Sequence, residues 1–244
     1  MIKFGLIGRN ISYSFSRNYF REKFSRESIA ATYENFDLQS LDEFPEVLRN
    51  NRELKGLNVT IPYKEEIMPF LDLIDPVAKE IGAVNTIQID PEGKLTGYNT
   101  DHFGFKKALQ QYLRSQHQKA LILGTGGASK AVAYALSSLG ITFTYVSRAG
   151  GEERLTYEQL DERVLKEHQL IINCTPLGTF PNTSEYPQLP VQLLTPAHLI
   201  FDLIYNPPVT KLMELAKLQG ATVVNGQKML EFQAEKAWEI WNRS

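Results

Sequence analysis

A lysine that follows a proline at the end of an apolar strand needs a reason to be there. Lys64 stands in such a place, in NVTIPYKEE (58–66). In the first turn of a helix a lysine is opposed by the helix dipole by up to about 1 kcal/mol. Glu65 and Glu66 can offset this for a solvated side chain. Beside a carboxylate in a partly dry site, the same ammonium can pass a proton to a substrate hydroxyl or carbonyl. SYSFS (12–16) sets Ser14 and Ser16 two residues apart after a strand; both hydroxyls can donate to one carboxylate, or can serve a turn. Asn85, in GAVNTI, is polar at the centre of a strand. Its amide, once buried, needs partners that a hydroxylated ligand can supply. Asp101, in GYNTDHFG, starts a helix, and from spacing alone it reads as an N-cap.

A second kind of chemistry lies in LILGTGGASKAVAYAL (121–136), which reads as strand, glycine turn and helix. Gly124 permits the tight turn and Gly126 lets the backbone approach a pyrophosphate. The helix then offers unpaired N–H groups and a partial positive charge to that anion. Ser129 occupies the third position of G-x-G-x-x-G, and Gly127 adds a glycine. A turn that needs glycine only for its geometry is the competing reading. One strand later, VSRAGGEERL carries Ser147 and Arg148, where a protein binding NAD or S-adenosylmethionine usually places an acid for the ribose hydroxyls. An arginine there can pair with a 2′-phosphate, which favours NADP, while Glu152 and Glu153 keep a solvated loop open. His102, His117, His168 and His198 have no metal-ligand spacing, so no metal is expected.

Positioning these residues requires strands alternating with helices. The apolar patterns give a strand at 2–8, a helix at 16–27 with Phe20 and Phe24 on one face, and a strand at ATYENF. Ser40 and Glu43 have capping-box spacing before the helix FPEVLRN. A strand follows at 56–61, with Pro62 opening a helix. Asp75-Pro76 begins another helix that Gly82 ends, AVNTIQI (83–89) is a strand, and DPEG has turn chemistry before KLTGYNT. From Asp101 a helix runs to about Arg114. Beyond it come QKALILG, a helix to Gly140, TFTYVS, a short helix after Thr156, HQLIINC, HLIFDLI, a helix from about Pro208 to Gln219, and ATVVN. This alternation argues for a parallel sheet covered on both faces. The last element is an amphipathic helix with Leu230, Ala234, Ala237 and Trp241 along one side.

The totals are those of an ordinary globular chain: 244 residues, 43% hydrophobic, 22% charged, net charge −2. Without a basic excess, no nucleic-acid or anionic-membrane partner is expected. Cys174 is the single cysteine, so no disulfide framework exists, in keeping with a reducing compartment. There is no signal-peptide pattern and no apolar run of about 20 residues, so a cytoplasmic protein is expected. No polar linker separates the halves; the chain crosses between them near 98–103 and 225–227, where a hinge is expected.

SYSFS, GLNVTIPYKE, GAVNTI, GYNTD, GTGGASKA, VSR, INCTPLG, DLIYNP and NGQKMLEFQAEKAW follow one another nearly from end to end. In this order and spacing they resemble the shikimate dehydrogenase family. The resemblance implies an α/β fold: an N-terminal α/β substrate domain, 1–101 completed by 227–244, and a Rossmann-like NADP-binding domain, 102–226, with the C-terminal helix returning to the first. It implies an oxidoreductase that reduces 3-dehydroshikimate to shikimate with NADPH, on the route to chorismate and aromatic amino acids, as a monomer or homodimer. Carried over by position, Lys64 and Asp101 form the acid/base pair. Ser14 and Ser16 hold the substrate carboxylate; Thr60, Asn85, Tyr205 and Gln233 bind the carboxylate or ring hydroxyls. Gly124, Thr125, Gly126, Gly127 and Ala128 carry the pyrophosphate, Ser147 and Arg148 the adenosine phosphate end, and Leu203 and Gly226 lie near the nicotinamide.

The chain departs from the family's first motif, H-S-x-S-P-x-x-H-N, at Tyr13, Arg17 and Tyr19. It departs again at Ser147 and Ala149 around Arg148, with Arg154 two positions out of register, and at Thr179, Asn225 and Lys228. The alternatives are a quinate/shikimate dehydrogenase using NAD and a non-catalytic nucleotide-binding regulatory relative on the same fold. An adenosylmethionine-dependent methyltransferase is disfavoured by Arg148, which stands where an acid would be wanted.

Overall fold

The computed structural model describes residues 1–12, 14–151 and 154–243; Tyr13, Glu152 and Glu153, singled out above, lie outside the described residues. The chain divides into two compact units, 1–103 with 233–244, and 104–232.

The first unit contains β1 (Ile2–Gly8), α1 (Phe15–Arg26), β2 (Ala31–Asp37), α2 (Phe44–Asn50), β3 (Leu54–Val59), β4 (Leu73–Ile74), α3 (Pro76–Ile81), β5 (Thr86–Ile89), β6 (Leu95–Tyr98) and the start of α4 (Asp101–Leu109). Local chemistry sets many of these limits. Ser14 caps α1 by accepting from Arg17 N–H, and Ser40 and Glu43 form the expected capping box ahead of α2. Asp75 caps α3 with Pro76 in its first turn, and Gly82 ends it at φ 72°. The sheet runs β2-β1-β3-β5-β6-β4 and is mixed, because β5 pairs antiparallel with both β3 and β6. The DPEG turn closes the β5–β6 hairpin, with Asp90 Oδ1 accepting from the N–H groups of Glu92 and Lys94.

Two cores flank this sheet. Ile7, Leu57, Tyr63, Ile67, Val84 and Ile87 fill one, while Phe4, Leu6, Phe20, Phe24 and Tyr33 fill the other with Ala234, Ala237, Ile240 and Trp241. Phe4 and Leu6 against Ile7 is the two-residue alternation of a strand buried on both faces. Trp241 stacks on Phe4 with centroids 4.8 Å apart and donates its indole N–H to Ile87 O at 2.9 Å. A Cβ at position 56 would lie 2.2 Å from that indole nitrogen, so β3 needs Gly56 there.

The second unit continues with β7 (Lys119–Leu123), α5 (Gly127–Ser138), β8 (Thr142–Val146), β9 (Arg154–Leu155), α6 (Glu162–Glu167), β10 (Leu170–Asn173), β11 (Leu199–Asp202), α7 (Lys211–Leu218), β12 (Thr222–Val224) and the start of α8 (Gln227–Trp241). Its sheet runs β12-β11-β10-β7-β8-β9 with every pairing parallel. Ile122, Leu170 and Ile172 enter one core and Leu121, Leu123 and Ile171 another, the double coverage that continuous apolar strands predict. The division between units falls inside α4 and α8, so residues 227–232 count with the second unit, where Met229 enters the core. Among the described residues no helix is long and apolar enough to cross a membrane.

Three elements differ from expectation. Residues 61–67 form successive turns rather than the helix Pro62 was expected to open. The Lys64 carbonyl accepts from Val84 N–H at 2.8 Å, which removes it from a helical ladder. α4 stops at Leu109, where Tyr112 N–H bonds back only three residues. α7 begins at Lys211, because Thr210 caps it through Met213 N–H.

Candidate functional site

Lys64 is fixed from both sides before its side chain is considered. Tyr63 is fully buried and donates its hydroxyl to Leu38 O at 2.7 Å, while the Lys64 carbonyl is held by Val84. The side chain then reaches Asp101, with Nζ 2.7 Å from Oδ2; the two side chains are 17% and 8% exposed. Asp101 does not spend its carboxylate on capping α4. Asn99 takes that duty, its Oδ1 accepting from His102 N–H at 3.2 Å. A nearly dry ammonium–carboxylate pair at this distance is a short charge-assisted hydrogen bond, which fixes the ammonium's position.

Asn85 stands in the same unit and is 3% exposed. Its Oδ1 accepts from Thr100 N–H at 2.6 Å, and its Nδ2 faces Thr100 Oγ1 at 3.0 Å and Gln233 Oε1 at 3.4 Å. The amide therefore has protein partners of its own, and Gln233 comes from α8 to meet it. Sequence reasoning missed the residues behind them. Asn58 donates to Asn85 O and Thr86 Oγ1, both at 3.2 Å, and accepts from the Tyr33 hydroxyl at 2.8 Å. Burial pushes the Tyr33 phenol well above its usual range, with a hydrogen bond to Ser16 pulling the other way, so it stays a donor. The signal was present as a polar residue inside an otherwise apolar strand, GLNV.

Ser14 accepts from Arg17 N–H through its oxygen, which leaves its own proton to donate elsewhere. Thr60 follows β3 directly, with its N–H on Ile7 O at 2.8 Å. A Cβ on Gly8 would lie 2.5 Å from the Thr60 methyl, so Gly8 makes room for it. Tyr19, one of the departures, bonds Glu235 of α8 through its hydroxyl; Lys23 joins the same carboxylate at 2.9 Å. Arg17 is exposed.

In the second unit the glycine turn has the expected form. Gly124 adopts φ 95° with its N–H on Val146 O at 2.8 Å. Gly126 caps α5 without any side-chain acceptor, and a Cβ there would meet nothing within 4 Å. Thr125 and Gly126 are exposed, and Gly127 and Ala128 half-buried. An open cradle at the start of a 12-residue helix, with its first N–H groups uncapped, fits the pyrophosphate of a dinucleotide. Ser147 Oγ donates to Ala149 O at 2.5 Å, tightening the loop that carries the exposed Arg148. Burial raises the Tyr157 phenol, and the Arg148 charge tempers that rise.

Leu203 and Gly226 are brought together. A Cβ on Gly226 would lie 2.0 Å from Leu203 O, and Gly226 N–H bonds Ile204 O at 3.0 Å. Tyr205 follows on the same segment, half-buried, and burial raises its phenol. Asn225 donates to Pro208 O at 2.8 Å and accepts from Gln227 N–H. An aspartate could not make the first of these bonds. Thr179 and Lys228 are exposed, Lys228 on Glu231 at 2.6 Å. Among the described residues no group of three or more His, Cys, Asp or Glu is arranged to hold a metal ion.

The chain is similar to known proteins along nearly its whole length. The profile of the shikimate dehydrogenase substrate binding domain matches residues 6–87. A shikimate dehydrogenase (NADP(+)) from Clostridium botulinum is 41% identical over 97% of this chain and 95% of its own. The shikimate 5-dehydrogenase of Thermus thermophilus, solved in complex with NADP(H) and shikimate, superimposes with a TM-score of 0.87 at 31% identity, covering 99% of this chain and 94% of that one. A quinate dehydrogenase from Corynebacterium glutamicum, in complex with NAD, gives 0.88 at 27% identity, covering 99% and 93%.

Proposed function

Because this chain belongs to the shikimate dehydrogenase family, we propose that it is an NADP-dependent oxidoreductase interconverting 3-dehydroshikimate and shikimate, with Lys64 and Asp101 as its acid/base pair. The observation that carries the assignment of these roles is the 2.7 Å bond between the two, nearly dry, in the unit that matches the substrate binding domain.

When bound, NADPH supplies the hydride. The chain's own residues do the rest. As the substrate carbonyl oxygen gains negative charge, the Lys64 ammonium stabilises it and donates the proton. Asp101 keeps the ammonium aimed and, as the lysine gives up its proton, stands ready to bind the new hydroxyl. Ser14 and Ser16 donate to the substrate carboxylate. Thr60, Asn85, Gln233 and Tyr205 hydrogen-bond the carboxylate or ring hydroxyls, with Asn85 and Gln233 held in place by Thr100. In the second unit Gly124 to Ala128 take the pyrophosphate, Ser147 and Arg148 the adenosine phosphate end, and Leu203 and Gly226 flank the nicotinamide. The substrate domain corresponds to the unit of 1–103 with 233–244 and the cofactor domain to the unit of 104–232.

The same reading gives a cytoplasmic enzyme, monomer or homodimer, whose partners are small molecules rather than nucleic acid or membrane. A balanced charge and a single cysteine support it. The test is nicotinamide reduction by purified protein, offered shikimate or quinate with NADP or NAD. Turnover with shikimate and NADP is expected. A preference for quinate or NAD would retain the mechanism and reassign the substrate. No turnover in any mixture, with the cofactor still bound, would refute it.

A further inference from the structure

At the end of β11, Asp202 is completely buried, yet among the described residues the donors that reach its carboxylate are neutral. Oδ1 accepts from Asn173 Nδ2 at 2.9 Å and from Ile204 N–H at 3.1 Å, and Oδ2 accepts from Thr210 Oγ1 at 2.7 Å. Burying a carboxylate without a cation is costly, and a fold that only needed stability would do as well with an apolar side chain. What the carboxylate gains is reach, because its three donors lie on three segments of the second unit.

Asn173 ends β10 and uses its other amide atom, Oδ1, to accept from Thr175 N–H at 3.0 Å and Thr175 Oγ1 at 2.7 Å. Thr175 lies under the glycine turn, its methyl 3.1 Å from where a Cβ on Gly124 would be. Ile204 sits between Leu203 and Tyr205, and its carbonyl accepts from Gly226 N–H. Thr210 caps α7, and its hydroxyl also accepts from Met213 N–H at 3.3 Å. One carboxylate thus ties the turn assigned to the pyrophosphate to the segment assigned to the nicotinamide end.

We propose that Asp202 is a positioning residue for the dinucleotide, fixing the 173–178 loop under the glycine turn and the 203–205 segment in one arrangement. This rests on the NADP reading above. Donors converging on an anion from separate loops hold a binding surface in place without touching the ligand.

The experiment measures the Kd of NADPH by nicotinamide fluorescence for the parent, Asp202→Asn, Thr210→Val and Thr210→Ser, with the folded fraction of each determined from its urea curve. About tenfold weaker binding per folded molecule is expected for Asp202→Asn and Thr210→Val. Thr210→Ser, which keeps the hydroxyl, is expected within twofold of the parent. If both impaired variants bind as the parent does once corrected for folding, the role is only structural and the inference is overturned. Should Asp202→Asn not fold, the Thr210 pair decides alone. A parent that binds no NADPH refutes the cofactor reading and this inference with it, whereas normal parental binding with unaffected variants refutes this inference only.

Discussion

At the scale of single residues, the Lys64–Asp101 pair sets the main prediction. A buried ion pair is a poor stabiliser when weighed against an apolar replacement, so its presence in a nearly dry site is better explained by chemistry. Lys64→Ala is expected to lose turnover by roughly 10²–10⁴ while NADPH still binds. Steady-state rates beside a fluorescence titration check both halves, and turnover within a few-fold of the parent would remove Lys64 from the acid's role. The sequence singles out Lys64 on a premise the fold does not keep, a first-turn lysine set against a helix dipole; residues 61–67 form turns, and its bond to Asp101 is what marks it. The role of the Asp101 side chain was not legible, since an aspartate at a helix start normally caps it; here Asn99, two residues earlier, does so. Asn58 and Asp202 escaped notice for a related reason. Each is a polar residue in or at the end of a strand, and only the donors gathered from distant segments reveal what it does.

At the scale of elements, the last turn of α8 works as part of the first sheet. Trp241→Ala is expected to destabilise by about 3–5 kcal/mol, the usual range for emptying a buried aromatic site; it would also leave Ile87 O without its donor. Urea unfolding measures this. A loss below about 1 kcal/mol would mean that Phe4 and Phe20 close over the gap. Gly226→Ala tests a different packing. Its Cβ has to displace the Leu203 backbone, so weaker NADPH binding is expected together with a loss of roughly 1–3 kcal/mol. NADPH affinity equal to the parent's would separate the Leu203 segment from the cofactor. Elements with strong local signals were readable: the Ser40–Glu43 capping box, the Asp75–Gly82 helix and the glycine turn all form as their residues dictate. Residues 61–67 were not, because the bond from Val84 N–H to Lys64 O joins positions far apart in sequence and leaves no local trace.

At the scale of the whole molecule, stability should carry the signature of one carboxyl. Burial pushes Asp202 up to about 6 from an ordinary value of 3.8. Between these two values the folded chain holds a proton that the unfolded chain has lost. The stabilisation is therefore complete below about pH 4 and is lost as the pH rises through about 6, an effect on the order of 3 kcal/mol. Exposed carboxylates paired with lysine or arginine, such as Glu53 and Glu167, are shifted downward and act in the opposite sense at lower pH. Comparison with Asp202→Asn isolates the buried group: the variant's stability relative to the parent should rise between about pH 4 and 7. A constant difference would mean that the carboxyl titrates normally. The aromatic core of the first unit has a consequence for the order of assembly. Phe4, Phe20 and Tyr33 are synthesised at the beginning, while Ala234, Ala237, Ile240 and Trp241, which complete their packing, come only after the whole second unit. On the ribosome the second unit can finish first, and the earlier-made half waits with an apolar face uncovered, a natural client for a chaperone until the last turn of α8 emerges.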